Sequence, residues 1–248
     1  MAQSAPTAES QEKTTPLIGY VTPHVHWDRA WYLPFQQYRY RLIEFVDELL
    51  ELLENPENNY PSFEFDGQTV VLEDYLEVKP ENRSRIEKLV KAGKLGVGPW
   101  YVLPDEFIVG GEALVRNLQF GHRIAEQFGG RSDIGYVPDP FGHVAQLPAI
   151  LRGVGLDTFL FTRGAGKWVA DAGCVFEWVA GDGTTSVTAV KQTPDYPCLM
   201  AWGFEDRQLD AKNGLTVNVE TAMGRLQRLI DGLEGTYNWA PPVVQLGN

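Results

Sequence analysis

Leu17-Ile18-Gly19-Tyr20-Val21, running into Pro23-His24-Val25-His26-Trp27-Asp28-Arg29-Ala30-Trp31-Tyr32, is the stretch from which the fold is read. The apolar run reads as a buried strand of a parallel sheet. Side chains two apart in an extended chain point the same way, so His24, His26 and Asp28 can project together just past the strand's end. In parallel α/β sheets, open or closed, that carboxyl end is where ligands bind. Two imidazoles and a carboxylate there suit a divalent metal, and the nitrogen-plus-oxygen donor set suits Zn²⁺. The alternative is a histidine-rich loop whose imidazoles are only hydrogen-bonded.

The length fits one large α/β domain, since helix and strand signals alternate throughout. The balance of 21 basic against 33 acidic residues, net −12, argues against nucleic acid or an anionic membrane as partner. Cys174 and Cys198 are too few for a disulfide framework and lack metal-motif spacing. No apolar run approaches a membrane span. Residues 1–16 are polar, without the apolar centre of a signal peptide, and read as a disordered tail on a cytoplasmic protein. Residues 17–248 are then one domain.

Leu42, Phe45, Val46, Leu49, Leu50 and Leu53 recur at helical spacing opposite an acidic face, and Asn55-Pro56 ends that helix. Phe63-Glu64-Phe65 reads as a short strand closed by Asp66-Gly67. A helix over Glu81 to Lys91 stops at Gly93. A strand follows over Leu95 to Val102, weakened by Gly96 and Gly98. Glu112 to Gln127 is a helix carrying His122 as a surface or packing residue. Ile134 to Val137 is a strand, Pro148 to Gly153 a helix, and Thr158 to Thr162 a buried strand ending in Arg163. Val175 to Val179 and Ser186 to Lys191 alternate around Gly181-Asp182-Gly183, a hairpin signal. Pro194 to Leu215 reads as loop, Thr221 to Leu233 as a last helix, and Val243 to Leu246 as a strand.

Four strand ends therefore carry polar candidates: His26/Asp28, Asp105/Glu106, Asp139 and Arg163. An Asp at such a place is commonly a cap or turn residue. Asp105 and Glu106 fit that role as well as a functional one. Asp139 is held extended by Pro140 and displayed immediately beyond a strand, which favours function. Arg163 is either an ion-pair partner or a substrate clamp. Trp27, Trp31 and Trp100 are either core or a flat platform for a sugar ring.

The opening segment Pro23–Tyr32 closely resembles the signature of glycoside hydrolase family 38, the retaining zinc-dependent α-mannosidases, with Ala30 where the usual bacterial form has Glu. Val97-Gly98-Pro99-Trp100-Tyr101 with Pro104-Asp105-Glu106, and Asp139-Pro140-Phe141-Gly142-His143, resemble further family blocks in the family's order. The likeness runs through most of residues 17–165 and fades beyond. It implies that His26, Asp28 and Asp139 are zinc ligands, that Asp139 is also the catalytic nucleophile, and that His24 is a structural neighbour. It implies too that Trp31 stacks on the sugar and that Arg163 and Phe141 line the same subsite. The fold it implies is an incomplete (β/α)7-barrel-like catalytic domain with mostly parallel strands. A fourth zinc ligand, a histidine, is expected beyond Asn248, so the chain reads as cut short and inactive alone. No general acid is assigned.

The implied substrate is a mannose-containing oligosaccharide or mannosyl glycoside, and a homo-oligomer is compatible with the sequence. Mannose's axial 2-hydroxyl makes a cis pair with the 3-hydroxyl that one Zn²⁺ can chelate, while a carboxylate nucleophile forms a covalent glycosyl-enzyme. Two other readings compete. A zinc-dependent amidohydrolase or polysaccharide deacetylase would use zinc-bound water; an amidohydrolase also needs further histidines on later strands, and only His122 and His143 follow the opening pair. A sugar-binding protein without turnover would keep the cleft alone.

Overall fold

The computed structural model describes residues 18–167, 169 and 173–192, seven positions between 220 and 231, and 243–247. Among the described residues, eight strands and five α-helices can be delimited, with helices between the strands as far as β5. The strands are β1 (Ile18–Thr22), β2 (Phe63–Glu64), β3 (Leu95–Gly96), β4 (Gly135–Val137), β5 (Thr158–Phe161), β6 (Val175–Val179), β7 (Ser186–Lys191) and β8 (Val243–Gly247). The helices are α1 (Phe35–Glu54), α2 (Val70–Leu76), α3 (Arg83–Lys91), α4 (Gly111–Phe128) and α5 (Leu147–Gly153).

Pairing is parallel except in the expected hairpin, where β6 and β7 run antiparallel. The strands form three sheets, β1-β8, β2-β3 and β4-β5-β7-β6. Isolated parallel bridges at His24–Glu64 and Gln68–Trp100 continue β1 toward β2, and β2 toward β3. No closed barrel forms among the described residues, so the α/β, mostly parallel part of the expectation stands without the cylinder. β3 is much shorter than the strand expected over Leu95 to Val102. The chain leaves extended pairing at Gly98, whose φ of 67° is open to glycine and costly for other residues.

Helix α1 turns Leu42, Val46, Leu49, Leu50 and Leu53 onto β2 and β3, as their spacing requires. Each such leucine, fully buried, contributes roughly 1.5–3 kcal/mol relative to exposure. A second core gathers Val137, Leu147, Leu151, Phe159, Phe161, Val187 and Ala189 between α5 and the four-stranded sheet. Helix α2 has no counterpart in the sequence reading. Val70, Val71, Leu72 and Tyr75 are all within 1% of complete burial, so both its flanks are apolar and no amphipathic period survives. Asp74 of this helix takes a bidentate ion pair from Arg29, with Nε and Nη2 each 2.7 Å from a carboxylate oxygen. The backbone carbonyl of Asp74 accepts from the buried Arg39, which also pairs with Glu77 at 2.8 Å. A largely buried helix thus anchors the loop that follows β1.

The loop expected over Pro194 to Leu215 lies outside the described residues, as does Cys198. Of the helix expected over Thr221 to Leu233, the described positions are helical.

Candidate active site

Just past β1, the His26 ring is held from behind. Its Nδ1 lies 2.8 Å from Asp66 Oδ2, which also accepts the Trp27 backbone N–H at 3.0 Å. An acceptor at Nδ1 makes that nitrogen the donor and presents Nε2 as the basic face. Nε2 faces Asp28 Oδ1 at 3.8 Å and Asp139 Oδ2 at 3.7 Å. One imidazole from the first strand's end and one carboxylate from the fourth therefore meet, although 113 residues separate them in sequence.

Asp66 is the residue that sequence reasoning missed. It was read as half of a turn, and the turn is real: Asp66 and Gly67 have φ of 47° and 69°, the left-handed pair that ends β2. The same bend drives the Asp66 carboxylate fully under the His26 loop. Gln68 Nε2 steadies the arrangement from below, donating to the Trp27 carbonyl at 2.7 Å. Burial pushes the Asp66 carboxyl up to about 6, against the lowering effect of the His26 hydrogen bond. For His26, burial lowers the imidazole pKa, but the Asp66 hydrogen bond and the charges of Asp66, Asp28 and Asp139 outweigh it and the net shift is upward. His24 differs: burial brings its pKa down to about 4, and it packs edge-on against Tyr136.

Asp139 is gripped by Arg163. Arg163 Nε lies 2.5 Å from Asp139 Oδ1, and Nη2 donates to the Asp139 carbonyl at 2.8 Å. The same guanidinium covers the Phe141 ring at 4.8 Å. Phe141 and Trp31 are 75% and 59% exposed, so both offer ring faces to solvent. The structure thus brings together His26, Asp28, Asp139, Arg163 and Phe141, and leaves Trp31 exposed beside Tyr32 further along the loop that carries His26 and Asp28. Glu106 is turned inward, 1% exposed, and engages His143. His122 lies on α4, and neither it nor His143 faces His26.

Among the described residues, no three His, Cys, Asp or Glu side chains are drawn together closely enough to hold a metal ion as they stand. The donor set nonetheless has the right chemistry: a neutral imidazole nitrogen fixed by a carboxylate behind it, and two carboxylates in front. A tetrahedral Zn²⁺ with donors at about 2.0–2.1 Å sets those donors roughly 3.3 Å apart. The observed 3.7 and 3.8 Å are a few tenths of an ångström longer.

Residues 17–234 match the model of the glycosyl hydrolases family 38 N-terminal domain, and the chain belongs to that family. It is 46% identical over 146 residues to the "Putative mannosylglycerate hydrolase" of Halalkalibacterium halodurans, covering 58% of this chain and 16% of that protein. It is 30% identical over 168 residues to the alpha-mannosidase of Saccharomyces cerevisiae, covering 66% of this chain and 15% of that one. The crystal structure of an alpha-mannosidase from Enterococcus faecalis V583 superposes with a TM-score of 0.79 at 32% identity, over 94% of this chain and 25% of that chain. The chain thus spans about a sixth of the length of these curated relatives.

Proposed function

We propose that this chain carries the nucleophile and three zinc ligands of a retaining α-mannosidase. The observation that carries the reading is the approach of Asp28 and Asp139 to the one ring nitrogen of His26 that Asp66 leaves facing them. His26, Asp28 and Asp139 would hold the metal. When bound, Zn²⁺ supplies a Lewis acid for the cis 2- and 3-hydroxyls of mannose and favours a distorted ring near the oxocarbenium-like transition state. Asp139 attacks the anomeric carbon as the glycosidic C–O bond breaks and the aglycone leaves as an alcohol, its oxygen taking a proton from solvent or from an acid outside the residues named. Water then cleaves the mannosyl ester, releasing mannose and the free carboxylate. Arg163 aims that carboxylate, and Phe141 and Trp31 give the sugar apolar faces to rest on. In this reading the three sheets are arcs of one barrel-like domain over residues 17–248, in a cytoplasmic protein.

The relatives' names support mannosides as substrates, and one of them supports a small mannosylglycerate-type compound as well as an oligosaccharide. The amidohydrolase reading is disfavoured because it needs further histidines, and His143 is engaged by Glu106 and the Arg163 carbonyl while His122 lies on α4 near Arg131 and Glu126. Made in a full-length version of the protein, His26→Ala and Asp28→Ala should each remove most bound zinc after desalting, with His24→Ala milder. A slow fluorinated mannosyl donor should label Asp139. Label on another carboxylate, or acetate release from an acetylated glycan without mannoside cleavage, rejects the reading.

A further inference from the structure

Glu106 and His143 lie outside the cluster just described, yet both are built into the ground beneath it. The Glu106 side chain is wholly buried and His143 is 6% exposed. One Glu106 oxygen accepts the Val144 N–H at 2.8 Å and the other lies 2.8 Å from His143 Nδ1. On the far side of the ring, Nε2 lies 3.0 Å from the backbone carbonyl of Arg163. A carbonyl can only accept, so Nε2 carries a proton and donates it there. A second proton lies between Nδ1 and Glu106, whichever of the two holds it. Phe159, Phe161 and Trp178 set their rings around the imidazole at 4.9–5.8 Å, edge to face.

The carbonyl in question belongs to the arginine that grips Asp139. We infer that Glu106 and His143 are a positioning pair: they pin the Arg163 backbone beyond β5, so that its guanidinium meets the Asp139 carboxylate from a fixed origin. The loops after β3, β4 and β5 are thereby tied into one support, with Glu106 from the first, His143 from the second and Arg163 from the third. Neither Glu106 nor His143 touches the reacting atoms. The inference rests on the reading of Asp139 as nucleophile, and its structural half can be tested apart from that reading.

The test compares His143→Phe, Glu106→Ala and Glu106→Gln in the whole protein, with arginine labelled in ¹⁵N. Phe keeps the ring packing and removes both hydrogen bonds. Gln keeps the bridge, because its amide can donate to Nδ1 while its oxygen keeps Val144. In His143→Phe and Glu106→Ala, kcat on a mannoside should fall tenfold or more with KM within about twofold. The Arg163 Nε–H signal, sheltered by Asp139, should broaden into exchange. Glu106→Gln should recover most of both losses. An unchanged Arg163 signal and kcat in the first two variants overturns the inference, and so does a Gln variant as impaired as the Ala one. If His143→Phe fails to fold, the two Glu106 variants decide. If the parent protein cleaves no mannoside, the functional reading falls and the Arg163 signal alone decides positioning.

Discussion

Replacing Asp66 by Asn changes one atom and should separate fold from function. The side chain is completely enclosed, and its Oδ2 receives the His26 ring N–H and the Trp27 backbone N–H. An Asn oxygen can stand in the same place and accept both, so neither donor is orphaned and the loop keeps its course. What is lost is the charge. A hydrogen bond to an ionised acceptor contributes about 1.5–3 kcal/mol where a neutral one contributes about 0.5–1.5. The His26 bond should therefore weaken by about 1–2 kcal/mol, and the ring loses the partner that makes Nε2 basic. That difference alone corresponds to roughly 5- to 30-fold in zinc affinity, overlapping the lower part of the roughly 10- to 100-fold seen when partners behind a metal ligand are removed. Competition against a chromophoric chelator, with His26→Ala setting the floor, measures it. Wild-type zinc affinity in Asp66→Asn beside a lost site in His26→Ala would show that Asp66 does not orient the ligand. A parent protein with no zinc affinity would refute the metal reading itself.

Asp139→Asn should lower kcat about a thousandfold or more, about 4 kcal/mol of barrier, because an amide cannot form the ester intermediate; steady-state kinetics on an aryl mannoside report it. Gly121→Ala should destabilise by about 1–3 kcal/mol despite the better helix former, since the new Cβ would lie 2.1 Å from the Pro99 carbonyl oxygen, and backbone cannot step aside; thermal unfolding decides, and an unshifted midpoint refutes the close packing of α4. His122 has its pKa lowered from 6.5, first by burial and then by Arg131, so the folded form resists the proton that the unfolded form accepts. Its contribution is intact above about pH 6.5 and lost as pH falls below it. Urea unfolding of His122→Gln should accordingly lose less stability than the parent between pH 7 and 5, and equal losses would contradict this.

Besides β1 and β5, which show as short apolar runs, the elements most readily read in advance are those with one wet face. Helices α1, α3 and α4 and the β6–β7 hairpin alternate apolar and polar residues because solvent lies on one side. Helix α2 buries every residue but Glu73 and Leu76, and so broad a buried face blurs the period. The candidate site divides similarly. His26, Asp28 and Asp139 stand at strand ends, where backbone direction alone displays them. Asp66 is followed by Gly67, and an Asp-Gly pair after a strand signals a turn whether or not its carboxylate does anything further. Glu106 fitted a structural or a functional role equally, and burial against His143 gives it the structural one. Gly96 and Gly98 did announce that β3 would falter.

The parallel register of β1 on β8 joins Ile18 to Val243, more than two hundred positions apart. On a ribosome adding about 5–20 residues per second, β1 waits roughly 10–45 s for that neighbour to be made. Meanwhile one edge of the strand leading to His26 and Asp28 is an unclaimed row of amides and carbonyls, open to any passing chain. On its other side only the bridge from His24 to Glu64 links it toward β2. A strand made early is thus secured late, and the timing of biosynthesis bears directly on the loop that carries His26 and Asp28.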